Sequence, residues 1–100
     1  MKKHTKTLLV IVAEAVLETR LVRDARQRGA QGWTVGEVHG AGLEGVREGA
    51  WEADRTIELK LICDESVADA IAEHVLLTYA ANYGVSMHFS PVQVPRPERF

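Results

Sequence analysis

The chain has one cysteine, Cys63. An intramolecular disulfide is therefore excluded, and a reducing compartment is the natural setting. Cys63 closes an apolar strand pattern and reads as a buried structural thiol. Positive charge is not in excess either: 12 Lys and Arg stand against 14 Asp and Glu, spread along the chain, for a net charge of -2. That balance lacks the basic footprint of non-specific nucleic-acid binding, although a few local arginines suffice for a small anion. No apolar run approaches the roughly 20 residues needed to span a bilayer. Lys2, Lys3 and Lys6 precede the apolar run Leu8 to Ala13, and Ala13-Glu14-Ala15 imitates a signal-cleavage site. The run is shorter than a usual signal core and reads better as a strand. The expectation is a cytoplasmic protein.

Metal and hydrolytic chemistry lack their usual patterns. The histidines are His4, His39, His74 and His88. None stands at a recognised ligand spacing from another or from Cys63, so they are expected to be solvated or locally paired, with no metal site. No nucleophile–base arrangement can be placed. Ser66 and Ser90 read as a helix cap and a strand residue, and Glu14, Glu37, Glu48, Glu52 and Asp54 are scattered. No catalytic residue is expected, and the chain does not read as an enzyme.

What is present is a regular succession of elements within a single domain, residues 1–100. Lys6 to Val12 is β-rich and apolar on both faces, as a central strand should be. From Ala15 to Arg28 the period changes. Leu17, Leu21 and Ala25 recur every four residues among charged neighbours, which predicts an amphipathic helix stopped by Gly29. Gly32 to Val38 reads as a second strand, and Arg55 to Leu61 as a third, with Ile57, Leu59 and Leu61 on one face. Asp64 or Ser66 caps the next helix, and Ser66-x-x-Asp69 resembles a capping box. Ala68, Ile71, Ala72, Val75, Leu76 and Tyr79 form its buried stripe, and it ends near Asn82-Tyr83-Gly84. A fourth strand runs over Ser86 to Ser90 and resumes after Pro91. Pro95 and Pro97 predict an extended, non-helical tail. The order β-α-β-β-α-β is that of an α+β, ferredoxin-like fold: a four-stranded antiparallel sheet with two helices on one face. The other face is left uncovered. Trp33, Val35 and the central strand suggest that it is apolar enough to need an oligomer.

Between the second and third strands lies a long connection, His39 to Asp54, with four of the eight glycines. Connections of this length in compact domains are usually functional or mobile. Gly40-Ala41-Gly42-Leu43-Glu44-Gly45 matches G-x-G-x-x-G after a strand. A dinucleotide fingerprint also requires a following helix in a parallel unit, and the pattern here offers neither. What survives is physical. Glycines let successive N–H groups cradle an anion, and Arg47 stands close behind to pair with phosphate. An unliganded surface loop remains open on composition alone. Trp51 either anchors a partner or folds back on its own subunit.

The stretch from Gly29 to Gly42, with Gly32-Trp33-Thr34-Val35 at its centre, resembles the segment that leads into the T-loop of PII signalling proteins. Val46-Arg47 is similar to the Val-Arg pair of the PII-like branch associated with bicarbonate transporters and carboxysome operons. Tyr79 and Tyr83 near the end of the second helix also fit, and the resemblance covers residues 6 to 95. It implies a homotrimer with adenine nucleotide in clefts between subunits and a mobile T-loop over residues 39–54. By position, Thr34, Val35 and Gly36 would border base or ribose, Gly40 and Gly42 would offer backbone, and Arg47 would face phosphate. Tyr83, Gly84 and Val85 would come from the neighbouring subunit as a shortened B-loop.

Departures from the pattern refine the ligand. Asn82-Tyr83-Gly84-Val85 replaces the Gly-Asp-Gly-Lys B-loop, so a lysine for polyphosphate is missing. Glu44 stands where nitrogen-regulating members carry a glutamine and the bicarbonate-linked branch often carries an arginine. A cysteine-containing C-terminal extension is absent, and Arg96 or Arg99 is left as a substitute cation. The resemblance thus implies ADP or AMP as regulatory ligand, ATP and cyclic AMP as further candidates, and bicarbonate as a co-ligand. It implies a membrane bicarbonate transporter or a carboxysome-related protein as partner. The competing classes are a metal-tolerance-type or purely structural trimer of similar topology, and a small enzyme on the same fold.

Overall fold

The computed structural model describes residues 1–39, 41–42, 45–46 and 55–100, of which 41, 42, 45 and 46 are described in backbone alone. Strand β1 spans His4–Glu14. It is apolar on both sides because it is central, paired antiparallel with a strand on each flank. A 3-10 turn, Ala15–Leu17, leads into helix α1, Glu18–Gln27. Gly29 follows with φ 113°, a left-handed conformation that side chains disfavour. Strand β2 is Thr34–Val38. Two short strands, β3 (Ala41–Gly42) and β4 (Gly45–Val46), pair with each other inside the glycine-rich connection. Strand β5 (Thr56–Cys63), helix α2 (Glu65–Thr78) and strand β6 (Val85–Val94) complete the fold.

The large sheet has the order β2-β5-β1-β6, with every pair antiparallel. Alternation decides which side chains meet the helices. Leu9, Ile11 and Ala13 of β1 and Leu59, Leu61 and Cys63 of β5 form one buried cluster with Leu17, Leu21 and Ala25 of the first helical segment and Ala68, Ile71 and Val75 of α2. Cys63 is buried and free. Burial first, and Asp64 beside it, push its thiol up, which favours the protonated form.

Several details depart from the pattern reading. Leu76 is 57% exposed and leaves the α2 stripe, whereas Tyr79 stays buried. Asp64 occupies the N-cap of α2 without a side-chain cap bond; its carboxylate instead takes the Lys6 ammonium at 2.7 Å. β6 does not stop at Ser90 but continues through Pro91, which pairs with Thr7. An edge strand tolerates proline because the missing N–H need not serve the ladder. The tail is not extended throughout: Pro97–Arg99 forms a 3-10 turn, with Pro97 at its start where no N–H is needed. Val35 packs against the helix-covered core rather than on the open face, and Trp33 lies under the Arg26 guanidinium of α1, 5.4 Å from its ring. The open face takes its apolar character from Leu8, Val10, Val12 and Ile62, of which Val10 is buried and the others half-buried.

Candidate ligand-binding site

The turn between α2 and β6 is built by contacts from α1 and β1. Asn82 and Tyr83 N–H groups both donate to the Tyr79 carbonyl, at 3.1 and 3.0 Å, closing the chain after the helix. Gly84 then meets Glu14, the last residue of β1. Gly84 N–H donates to Glu14 Oε2 at 2.6 Å, and Glu14 N–H donates to the Gly84 carbonyl at 3.2 Å. Arg20 of α1 lies over the rings of Tyr79 and Tyr83, 5.8 and 5.4 Å from their centroids. Its Nη2 donates to the Tyr83 hydroxyl at 3.4 Å. A cation held over two aromatic faces is attracted to both ring quadrupoles, so Arg20 and Tyr83 hold each other at the turn.

Behind the turn lies a buried polar network between the two helices. Asp24 is 4% exposed. Its carboxylate accepts the Tyr79 hydroxyl, His74 Nε2 at 2.9 Å and Arg23 Nε at 3.1 Å. Arg28 donates Nη1 to the Asp24 carbonyl at 3.0 Å and Nη2 to His74 Nδ1 at 2.8 Å. A guanidinium can only donate, so Nδ1 accepts and the proton sits on Nε2, aimed at Asp24. Burial alone raises the Asp24 carboxyl; the bonds from Tyr79, His74 and Arg23 outweigh it and hold the group below its usual range. Burial and the Asp24 bond both raise the Tyr79 hydroxyl, which remains a donor. His74 is thus locally paired, as one of the two sequence readings had it.

The other candidate residues sit at the opposite edge of the sheet. Thr34 and Gly36 on β2 are exposed and Val35 is half-buried. Gly42 lies in β3, paired with Gly45. Gly40 and Arg47 lie outside the described residues, as do Glu44, Trp51 and most of the segment 39–54. Tyr83 and Gly84 lie in the α2–β6 turn, and Val85 is the first residue of β6. The register joins the two groups: Glu37 pairs with Ile57, Ile57 with Ala13, and Ala13 with Val85. Glu37 and Val85 thus stand level, three strand spacings or about 14 Å apart, while Gly36, Val35 and Thr34 line up with Ser86, Met87 and His88, and the two edges face away from each other. One copy therefore does not bring them together.

Sequence reasoning missed Glu14, Arg20, Asp24 and Arg28 as organisers of this region. A signal for two of them was present. Asp24 and Arg28 fall seven and eleven residues after Leu17, on the helical face that Leu21 and Ala25 also occupy. A charge on an apolar stripe calls for a buried partner. Among the described residues no group of three His, Cys, Asp or Glu side chains could hold a metal ion, and no helix is long and apolar enough to cross a membrane.

These observations define a ferredoxin-like domain with Thr34–Gly36 on one edge strand of its four-stranded sheet and Tyr83–Val85 at the start of the other. The family model for nitrogen regulatory protein P-II matches residues 6–99, and the chain belongs to that family. Among solved structures it is similar to a PII-like signalling protein from Thermus thermophilus, at 34% identity and a TM-score of 0.86, over 100% of this chain and 99% of that one. It also resembles CPII, a nitrogen regulatory PII-like protein from Thiomonas intermedia solved with ADP, AMP and bicarbonate, at 22% identity and a TM-score of 0.88, over 99% and 96% of the two chains. A second CPII structure, with ADP and bicarbonate, matches at 21% identity and a TM-score of 0.86, over 99% and 97%. No curated protein sequence matches the chain.

Proposed function

We propose that the chain is a cytoplasmic PII-like regulator of the bicarbonate-linked branch that binds an adenine nucleotide in clefts between copies of itself. ADP or AMP is preferred to ATP, because the turn Asn82 to Val85 carries no lysine for a terminal phosphate. Thr34, Val35, Gly36, Gly40, Gly42 and Arg47 of one copy and Tyr83, Gly84 and Val85 of the next form the site. The observation that carries this reading is the placement of Thr34–Gly36 and Tyr83–Val85 on opposite edges of the sheet, in adjoining stretches of the register where Gly36 is level with Ser86 and Glu37 with Val85. A second copy, set edge to edge, is what unites them. The apolar open face gives the copies a reason to associate. The ligands that CPII binds support an adenine nucleotide with bicarbonate as co-ligand. Ligand acts by favouring one conformation of segment 39–54 over another, and that segment docks on a partner in inorganic-carbon uptake or carboxysome function.

Light scattering coupled to size exclusion should give a homotrimer, three times the 11.1 kDa chain mass. A strict monomer at micromolar concentration would remove the shared site. Calorimetry with AMP, ADP, ATP and cyclic AMP, with and without bicarbonate, then tests the ligand. Arg47→Ala should weaken nucleotide binding about ten- to a hundredfold, since a charge-assisted hydrogen bond contributes about 1.5–3 kcal/mol. The oligomer should be unchanged. Equal affinities of wild type and variant for every nucleotide would mean that Arg47 does not meet the phosphate.

A further inference from the structure

Among the described residues, Glu14 is the one acidic side chain placed on the backbone of the α2–β6 turn. Its position is set from three sides. Its own N–H is bonded to the Gly84 carbonyl at 3.2 Å, its Oε2 accepts the Gly84 N–H at 2.6 Å, and the next amide, Ala15 N–H, donates to the Arg55 carbonyl at 2.8 Å. The carboxylate is therefore fixed at the level where the turn meets the ends of β1 and β5. An N–H in a glycine turn is a donor that an anion seeks. Here the chain's own carboxylate already holds it.

Two physical consequences follow. A phosphate oxygen cannot use the Gly84 N–H unless the carboxylate leaves. While the carboxylate stays, it repels each further negative charge brought to the turn. The cation the structure puts at this place, Arg20, is held against Tyr83, 3.4 Å from its hydroxyl. Among the described residues the turn thus has Glu14 bonded to its backbone and Arg20 held against its tyrosine, and lengthening a phosphate chain adds charge of Glu14's sign.

Resting on the nucleotide reading above, we infer that Glu14 is a specificity-determining residue: an internal anion that occupies the Gly84 donor and sets a preference for short phosphate chains. Glu14→Gln tests this, because glutamine keeps the length and an acceptor oxygen for Gly84 N–H but removes the charge. AMP, ADP and ATP affinities are measured by calorimetry for wild type and variant. The ATP-to-AMP affinity ratio should rise about fivefold or more, the change that one unit charge a few ångströms away makes in water-like surroundings. ADP should fall between. Binding of ATP by the variant where wild type binds no nucleotide also supports the inference. An unchanged ratio overturns it while leaving nucleotide binding intact. Failure of both proteins to bind any adenine nucleotide overturns the nucleotide reading and this inference with it. Melting of the ligand-free variant checks folding. Glu14→Ala, which drops both charge and acceptor, supplies the same ratio if the glutamine variant does not fold.

Discussion

Asp24→Ala should lower the melting temperature by more than about 10 °C. The wild-type carboxylate is 4% exposed and receives bonds from Tyr79, His74 and Arg23. Alanine leaves the Tyr79 hydroxyl and the His74 Nε2–H facing a small void, and each unsatisfied buried donor costs about 1–3 kcal/mol. A total near 3 kcal/mol is expected, and in a domain of this size each kcal/mol shifts the midpoint by about 4–8 °C. Asp24→Asn keeps the shape and one acceptor, so its loss should be smaller. The pH dependence has a definite sign. The folded carboxyl titrates below its usual range because the three hydrogen bonds outweigh burial. Its contribution is therefore complete above the ordinary aspartate value of about 4 and is lost as pH falls through the lower folded value. Asp24→Asn should flatten that acid limb. Thermal melts from about pH 2.5 to 7 check this; parallel limbs in wild type and variant would remove Asp24 from the account.

Leu59→Ala is expected to be of similar or larger size. Leu59 is 0% exposed. It lies on β5 between Ile11 of β1 and Val35 of β2 in the register, and its side chain belongs to the cluster that both helices cover. Truncating a buried leucine costs about 2–5 kcal/mol, the spread depending on how far the cavity collapses. Strands held in a ladder on both sides cannot close in freely, which places the expected value in the upper half. Urea unfolding should show the midpoint falling with the slope unchanged. A loss under about 1 kcal/mol would mean that the centre of the sheet repacks around the truncated side chain.

Much of the architecture can be read from periodicity because the sheet has one covered face. Ile57, Leu59 and Leu61 alternate with Thr56, Glu58 and Lys60, so the buried side of β5 follows from the letters alone. Leu17, Leu21 and Ala25 do the same for the first helical segment. The departures arise where a local pattern does not know its neighbours. Leu76 fits the α2 stripe by spacing, yet it is 57% exposed. Asp64 has the chemistry of a cap, but Lys6, fifty-eight residues away, takes its carboxylate. Pro91 reads as a break until the strand is known to be an edge. The short β3–β4 ladder has no apolar alternation to announce it.

The candidate site is less legible for the same reason. Thr34 to Gly36 and Tyr83 to Val85 attract notice through family likeness, but their placement on opposite edges appears only with the strand order. Glu14 looks like one more solvating acid in the linear chain. Its bond to Gly84 depends on β1 and β6 pairing in one register, and a shift by one residue would turn its side chain to the other face. Asp24 and Arg28 are the exception, visible as charges on an apolar stripe.

The ten-residue edge strand β6 has a further consequence in Pro91. A long edge presents a row of donors and acceptors to any extended chain that drifts alongside, which is how sheets seed fibrils. Proline within the strand deletes one donor from that row. A foreign strand laid along β6 would find its ladder interrupted there, with the ring in its path. A partner that touches only part of the edge meets no such obstacle. The same residue that looks like a flaw in the strand thus permits selective contact while discouraging indiscriminate polymerisation.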